Sequence, residues 1–374
     1  MTKVAIITLW YPQDIRIFRE VSTLQEEYSI EIFLTDTQKT EPEKENLDDV
    51  IVHRFSCTSS KYRIGKYIHS FLRYLKITRK AIKSNPEICH VHDFPLLFSG
   101  ILVKLVTQCN LVYDAHEDFA SMVYLDNTVR VNALRKVELF LIRLFVDHII
   151  TVNESLKAYF SQAKVKTSVL MNVPALSIQT GGKASKSNDF MLGYVGHIHT
   201  GRGYETLIPL CLYLIQSNLA VKFLIVGGGP FEREFRKMVN AHNLGDHFIM
   251  TGEVDHREIP SFLQRINVGL ILFKPICYNN IIATPNKLFE YMAFGIPVVA
   301  SNVPEIRKIM EETNAGILVD PTNLKEVAET VMYLAKNPKI AKEMGENGRK
   351  AFATKYNWDA QSKELLKVYK EFLQ

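Results

Sequence analysis

Short apolar runs alternate with stretches of helical periodicity along the whole chain, and after about residue 177 the alternation starts again. In the first half, residues 4–9, 30–34, 50–55, 88–92, 111–113, 148–152 and 169–174 read as strands. In the second half, residues 190–195, 221–226, 248–250, 268–273, 297–300 and 316–319 do so. Strands separated by helices call for right-handed crossovers and parallel pairing. A chain of 374 residues is also long for one core. The expected fold class is therefore α/β, with two doubly wound parallel-sheet (Rossmann-like) domains facing across a cleft at the carboxyl edges of their strands. The polar segment 177–189, with Gly181 and Gly182, is expected as the linker between domains 1–176 and 188–355. Residues 38–49 are expected as an exposed acidic loop.

Composition narrows the function. A formal net charge of +5 is too small to argue for nucleic acid. The first seven residues enter a strand directly, so no signal peptide is expected, and no apolar run reaches the length of a membrane span. Cys57, Cys89, Cys109, Cys211 and Cys277 are scattered without a Cys-x-x-Cys pair and read as packing residues in a reducing cytosol. The expected location is cytoplasmic.

One helix stands apart. Between residues 64 and 83, Ile64, Tyr67, Ile68, Phe71, Leu72, Leu75 and Ile82 fall on one side, and the other side is basic. Residues 61–112 hold nine Lys or Arg against two acids. Two readings stand: a core-facing helix with a solvated basic face, or a basic amphipathic helix on an anionic membrane surface.

The stretch 284–301 carries the most chemistry. Pro285 opens a short helix, Gly295 closes it and a strand follows. A helix N-terminus carrying Asn286 and Lys287 suits an anion such as a diphosphate. Glu290, one turn on, suits sugar hydroxyls such as those of a ribose. An ordinary helix N-terminus with a solvated Lys and Glu is the competing reading. Gly196 to Gly203 follow the first strand of the second half, and Arg202 there can grip phosphate oxygens. The turn at Gly227-Gly228-Gly229 is not Gly-x-Gly-x-x-Gly, because residue 232 is Glu, which weakens a nicotinamide reading. His116 reads either as a core or surface histidine or as a donor to a sugar hydroxyl. Asp14 is a good N-cap at the end of the first strand, where ligands bind in such sheets; Arg16 also reads as helix surface. His90-x-His92 and His197-x-His199 have strand spacing for a metal, but no cysteine or suitable carboxylate in the sequence completes either set. There is no Asp-x-Asp, so a nucleotide-bound divalent metal is not expected.

These residues resemble glycosyltransferase family 4, the group 1 glycosyltransferases with the GT-B fold, in a branch that builds polysaccharides on lipid carriers. The likeness covers nearly the whole chain. It is carried by Pro285 to Ala293 with Gly295 to Ser301, and by Asp14-Ile15-Arg16-Ile17 with Arg19-Glu20. Val112 to Glu117, Gly193 to Gly196, Arg202-Gly203 and Leu318 to Pro321 add to it. The resemblance implies a nucleotide-diphosphate sugar donor on the second domain. Arg202 and Lys287 would hold the diphosphate and Glu290 the ribose. Gly196, His197, Gly228, Val254, Asn286 and Leu288 would lie around the nucleotide. The first domain would hold a saccharide or lipid-linked acceptor, with Asp14, Arg16 and His92 on that side and His116 near the donor sugar. Residues 356–374 would form a helix crossing back to the first domain. Two positions depart from the family pattern: Ile282 replaces a glutamate and His197 an arginine.

The implied reaction is sugar transfer with retention and without metal or other cofactor, the nucleotide sugar being a co-substrate. A lipid-linked acceptor favours the membrane reading of the basic helix, peripheral on the cytoplasmic face. A nucleotide-sugar epimerase of the same fold and a non-catalytic nucleotide-sugar-binding partner are the alternatives.

Overall fold

In the computed structural model of the protein, residues 10, 12–13, 37–41, 57–62, 125–127, 181–188 and 374 are not described, and residues 63–70 and 179–180 are described in backbone alone. Cys57, Lys61, most of the expected linker and the side chains of Ile64, Tyr67 and Ile68 thus lie outside the described residues. The chain divides into two units, Met1–Met171 with Ser362–Gln374, and Asn172–Gln361.

The first unit runs β1 (Lys3–Thr8), α1 (Ile15–Leu24), β2 (Ser29–Asp36), β3 (Lys44–Leu47), β4 (Val50–Ser56), α2 (Arg63–Ser84), β5 (Ile88–His92), α3 (Phe94–Thr107), β6 (Asn110–Ala115), α4 (Phe119–Val123), α5 (Thr128–Phe145), β7 (His148–Thr151), α6 (Glu154–Phe160) and β8 (Lys166–Val169). Its sheet has the order β3-β4-β2-β1-β5-β6-β7-β8. All pairings are parallel except β3 with β4. The connection through α1 steps one way across the sheet; those through α2, α3, α5 and α6 step the other way. Right-handed crossovers therefore put these four helices together on the face opposite α1.

Two expectations need correcting. Part of the acidic segment is an edge strand: Lys44–Leu47 pairs with β4, and Glu45 meets Arg54 at 2.8 Å. Charged residues suit an edge that must not pair further. The strand expected at 169–174 stops at Val169, because the Leu170 carbonyl turns to accept from the Arg16 guanidinium at 2.6 Å. On α2, Ile77, Thr78 and Ala81 form the buried side, whereas Phe71, Leu72 and Leu75 are exposed.

The second unit runs β9 (Phe190–Val195), α7 (Leu207–Gln216), β10 (Val221–Val226), α8 (Glu232–Ala241), β11 (Phe248–Met250), α9 (Ile259–Leu263), β12 (Val268–Ile271), α10 (Tyr278–Ile281), α11 (Asn286–Ala293), β13 (Val298–Ser301), α12 (Pro304–Thr313), β14 (Gly316–Val319), α13 (Leu324–Lys336) and α14 (Pro338–Thr354). The sheet order β11-β10-β9-β12-β13-β14 is parallel throughout. Strand order reverses between β9 and β12, so ligands are expected outside the carboxyl ends of those two strands. The last helix, α15 (Trp358–Glu371), ends in the first unit. There Tyr369 is fully buried against Tyr28, and its hydroxyl is hydrogen-bonded to His90 Nδ1 at 2.7 Å.

Short apolar strands buried on both faces explain the core. Every residue of β5, β7, β12 and β13 is buried. α11 is equally enclosed, with Lys287 to Ala293 all buried. Its Tyr291 hydroxyl donates to the Gly193 carbonyl at 2.9 Å and accepts from the Val195 amide at 3.2 Å, so it is pinned to β9. Its C-terminal end is set by Gly345 of α14: a Cβ there would lie 2.0 Å from the Gly295 carbonyl oxygen. Helix propensity alone would favour alanine at 345 by about 1 kcal/mol. The clash is with backbone and cannot relax by rotating a side chain, so overpacking wins. Gly345→Ala is expected to destabilise the protein by about 1–3 kcal/mol in chemical denaturation, and a more stable variant would refute this packing.

Candidate functional site

The switch point of the second sheet is built largely from backbone. After β9 and β10 the two chains stay zipped together. Gly196 donates to the Val226 carbonyl and Ile198 to that of Gly228, both at 2.8 Å. Such close approach needs glycine. Gly196 and Gly227 have φ of 114° and 122°, and a Cβ on Gly227 would lie 2.6 Å from the Gly196 carbonyl oxygen. Gly227 also bridges to Gly252, which leads the chain to the half-buried Val254. His197 is exposed, and its carbonyl accepts from the Tyr194 hydroxyl at 2.7 Å. A Cβ on Gly228 would meet Glu253 Cγ at 2.8 Å.

α11 delivers a cation to this backbone cradle. Lys287 is buried to 7% exposure, and its ammonium lies 3.9 Å from the centre of the Tyr194 ring and 5.6 Å from that of Phe273. Arg202 lies over the same Phe273 ring at 5.0 Å. Two cations thus lie against one aromatic ring. A Cβ on Gly196 would be 3.8 Å from Lys287 Nζ, so the ammonium touches the glycine turn. Burial, reinforced by Arg202 and opposed by Glu290, brings Lys287 down to about 7. Among the described residues neither cation makes an ion pair. The first N–H groups of α11 have no acceptor within the helix and point the same way as its positive dipole end. Asn286 is exposed there, and Glu290 is buried one turn on. The arrangement can hold a dianion and stabilise negative charge as it develops.

Of the expected nucleotide-side positions, Leu288 is fully buried, and its N–H is used on the Pro285 carbonyl at 2.9 Å. Ile282, where the family pattern has a glutamate, is buried just after α10.

The first unit carries a second polar centre. Asp14 caps α1, accepting from the Arg16 amide at 2.9 Å. Arg16 does not face the surface, as acceptor contact would require, but is 1% exposed. It meets Asp114 and Glu20, each at 2.9 Å. His92 is buried as well. His90 and His92, two apart on β5, stack at 4.5 Å. The expectation that no carboxylate completes His90-x-His92 fails, because Glu20, His90, His92 and Asp114 converge with ligand atoms within 4.8 Å of one another. The fold, however, already supplies a cation there: the Arg16 guanidinium contacts both carboxylates.

The charges sort accordingly. Burial, His90 and His116 together push His92 well down, so it stays neutral. Burial works against the Asp114 carboxylate, but Arg16 and His116 hold it well below its usual range. Burial raises Glu20 well above the usual carboxylate range despite Arg16. His116 lies towards the surface, its side chain 17% exposed. Its Nε2 lies 3.4 Å from Asp114 and 3.3 Å from His92 Nδ1, and its Nδ1 is 3.8 Å from Asp93. Burial alone would lower it, yet Asp93 and Asp114 lift it to about 10, so it is a standing hydrogen-bond donor.

Tyr194, Phe273 and Asp93 belong to these centres and are not evident from local sequence. Tyr194 alternates with apolar neighbours in a buried strand and reads as core. Phe273 lies 71 positions beyond Arg202 and Asp93 lies 23 before His116, so only the sheet brings each pair together.

Comparison with known proteins matches both halves. Residues 17–172 match the model for Glycosyltransferase Family 4, and residues 179–351 match that for glycosyl transferases group 1. An alpha-D-kanosaminyltransferase from Streptomyces kanamyceticus is 30% identical over 178 residues, covering 48% of this chain and 45% of that protein. A capsular polysaccharide biosynthesis glycosyltransferase, CapM, from Staphylococcus aureus is 25% identical over 193 residues, covering 50% and 47%. The chain thus spans about half the length of the curated relatives it matches. Among solved structures, sucrose-phosphate synthase from Thermosynechococcus elongatus superposes with a TM-score of 0.80 at 18% identity, covering 100% of this chain and 99% of that one. Anabaena HepE in complex with UDP-glucose does so at 0.76 and 15%, covering 99% and 100%. The fold is that of these enzymes, two Rossmann-like domains in one chain, and with a family model matched in each half the protein belongs to the group 1 (family 4) glycosyltransferases.

Proposed function

We propose that this protein transfers a sugar, with retention of configuration and without a metal, from a nucleotide-diphosphate sugar to a saccharide acceptor carried on a lipid. The carrying observation is the pair of cations, Lys287 and Arg202, on the Phe273 ring at the N-terminus of α11. Together with the glycine turn at Gly196 they offer a dry, preorganised seat for a leaving diphosphate. The bond between the sugar's anomeric carbon and the phosphate oxygen breaks. The acceptor oxygen bonds to the same face of that carbon, and its proton passes to the departing phosphate. Positive charge from Lys287 and Arg202 takes the role a metal would otherwise fill. Glu290 accepts from the ribose, and His116, held cationic, donates to sugar hydroxyls. A role in surface polysaccharide synthesis at the cytoplasmic side of a membrane draws support from the capsular relative, CapM.

A thermal-shift panel of UDP, GDP, ADP and TDP with their sugar conjugates tests the donor site. One base stabilising the protein well above the others is expected; no shift with any of them would overturn the reading.

Lys287→Met separates catalysis from folding. The variant loses the ammonium but keeps the volume, so kcat/KM should fall about 10²–10³-fold. Stability should not fall, because a buried cation that prefers to be neutral is removed. Unchanged transfer by the folded variant would refute the assignment.

A pH dependence follows from Lys287 at about 7. Below that pH the ammonium is charged and ready. Above it, diphosphate binding must take up a proton, so affinity should weaken by up to about tenfold per pH unit. Calorimetry at pH 8 in buffers of different ionisation enthalpy should show about one proton taken up, and none in Lys287→Met.

A further inference from the structure

We infer that the outward face of α2, α3 and α5 is a docking surface for an anionic lipid bilayer. This deepens the lipid-linked acceptor reading and rests on it for its purpose, though not for its geometry. The decisive element is α5, which is apolar on two sides. Val131, Ile142 and Glu138 are buried, whereas Val129, Val137, Phe140 and Leu144 are 50–79% exposed. These four fall on one side of the helix, spaced 8, 3 and 4 residues apart.

The helix's orientation is held in place from below. Glu138 accepts from the Tyr113 hydroxyl at 2.7 Å and from that of Tyr159 at 3.1 Å. The helix is thus fastened to the sheet by a buried polar latch and leaves its apolar stripe outward. A lone exposed leucine needs no explanation, but a continuous stripe does.

The neighbouring helices extend it. α2, α3 and α5 share one face of the sheet, α3 packing between the other two. On α3, Phe98, Leu105 and Val106 are 58–62% exposed. On α2, Phe71, Leu72 and Leu75 point outward alongside Lys76, Arg79 and Lys83.

Charge selects the partner. The three helices carry twelve Lys or Arg and one acid, the buried Glu138. Arg135 pairs with Asp118 and Lys104 with the exposed Asp147, and the remaining excess of cations around the apolar stripe fits the headgroup boundary of an anionic bilayer. It fits a second copy of this chain poorly, because the same cations would face each other. No helix among the described residues is long and apolar enough to cross a membrane, so contact is peripheral.

Flotation with phosphatidylglycerol–phosphatidylcholine vesicles tests this without donor or acceptor, so its outcome is independent of sugar transfer. The full chain should bind at low salt and keep part of its binding at high salt, because insertion is not screened. Phe140→Ser with Leu144→Ser should weaken binding at least about tenfold while leaving circular dichroism unchanged. Should that variant misfold, Leu105→Ser with Val106→Ser carries the same expectation. Lys76→Glu with Arg79→Glu should abolish the preference for anionic vesicles. No binding at low salt would overturn the inference, as would unaltered binding by both serine variants. A dimer broken by the serine variants, with no vesicle binding, would instead assign the face to self-association.

Discussion

A buried cation must be compensated where it sits, and each unit solves that problem differently. In the first, Arg16 reaches from α1 to Asp114 on β6, to Glu20 and to the Leu170 carbonyl beyond β8. One guanidinium thereby ties a helix to one strand and to the end of another. Removing a partner from such a pair costs about 3–5 kcal/mol, because the remaining charge is stranded away from water. The arrangement also fixes protonation around it: His92 stays neutral, Asp114 ionised and His116 cationic. In the second unit Lys287 has aromatic faces instead of carboxylates. Compensation there is incomplete, and burial lowers the ammonium's pKa to about 7.

That contrast separates a fully compensated buried charge from a partly compensated one. A guanidinium with five donors can satisfy two carboxylates and a carbonyl at once and remain charged under all conditions. An ammonium is a compact charge whose protonation responds to burial. The residue types at 16 and 287 are therefore not interchangeable. The glycine turns at Gly196 and Gly227 complete the second site by keeping side chains out, so the backbone itself forms its wall.

Two helices of the first unit show that a helical pattern does not by itself say which way it faces. In α2 the periodicity of Phe71, Leu72 and Leu75 allows a core-facing and a membrane-facing reading, and in the fold Ile77, Thr78 and Ala81 pack inward while those three are exposed. A hydrophobic stripe shows that a surface is covered by something apolar; it does not say by what. In α5 Glu138 is buried along with Val131 and Ile142, and its burial becomes intelligible only with Tyr113 and Tyr159 beside it, 25 and 21 positions away.

By itself the sequence determined the alternation of strands and helices, the restart at a second sheet, and the short helix at Asn286 with its cation and closing glycine. These are local facts: periodicity, a proline and a glycine with fixed backbone preferences, and apolar runs too short to be anything but strands. The tertiary structure decided everything that depends on strand order. It enclosed Arg16 and His92 rather than exposing them, set Asp93 and Asp114 around His116, and put Lys287 and Arg202 on one Phe273 ring. Strand order brings together residues tens of positions apart. Burial then decides which of their charges survive, and neither is encoded in the spacing of neighbours along the chain.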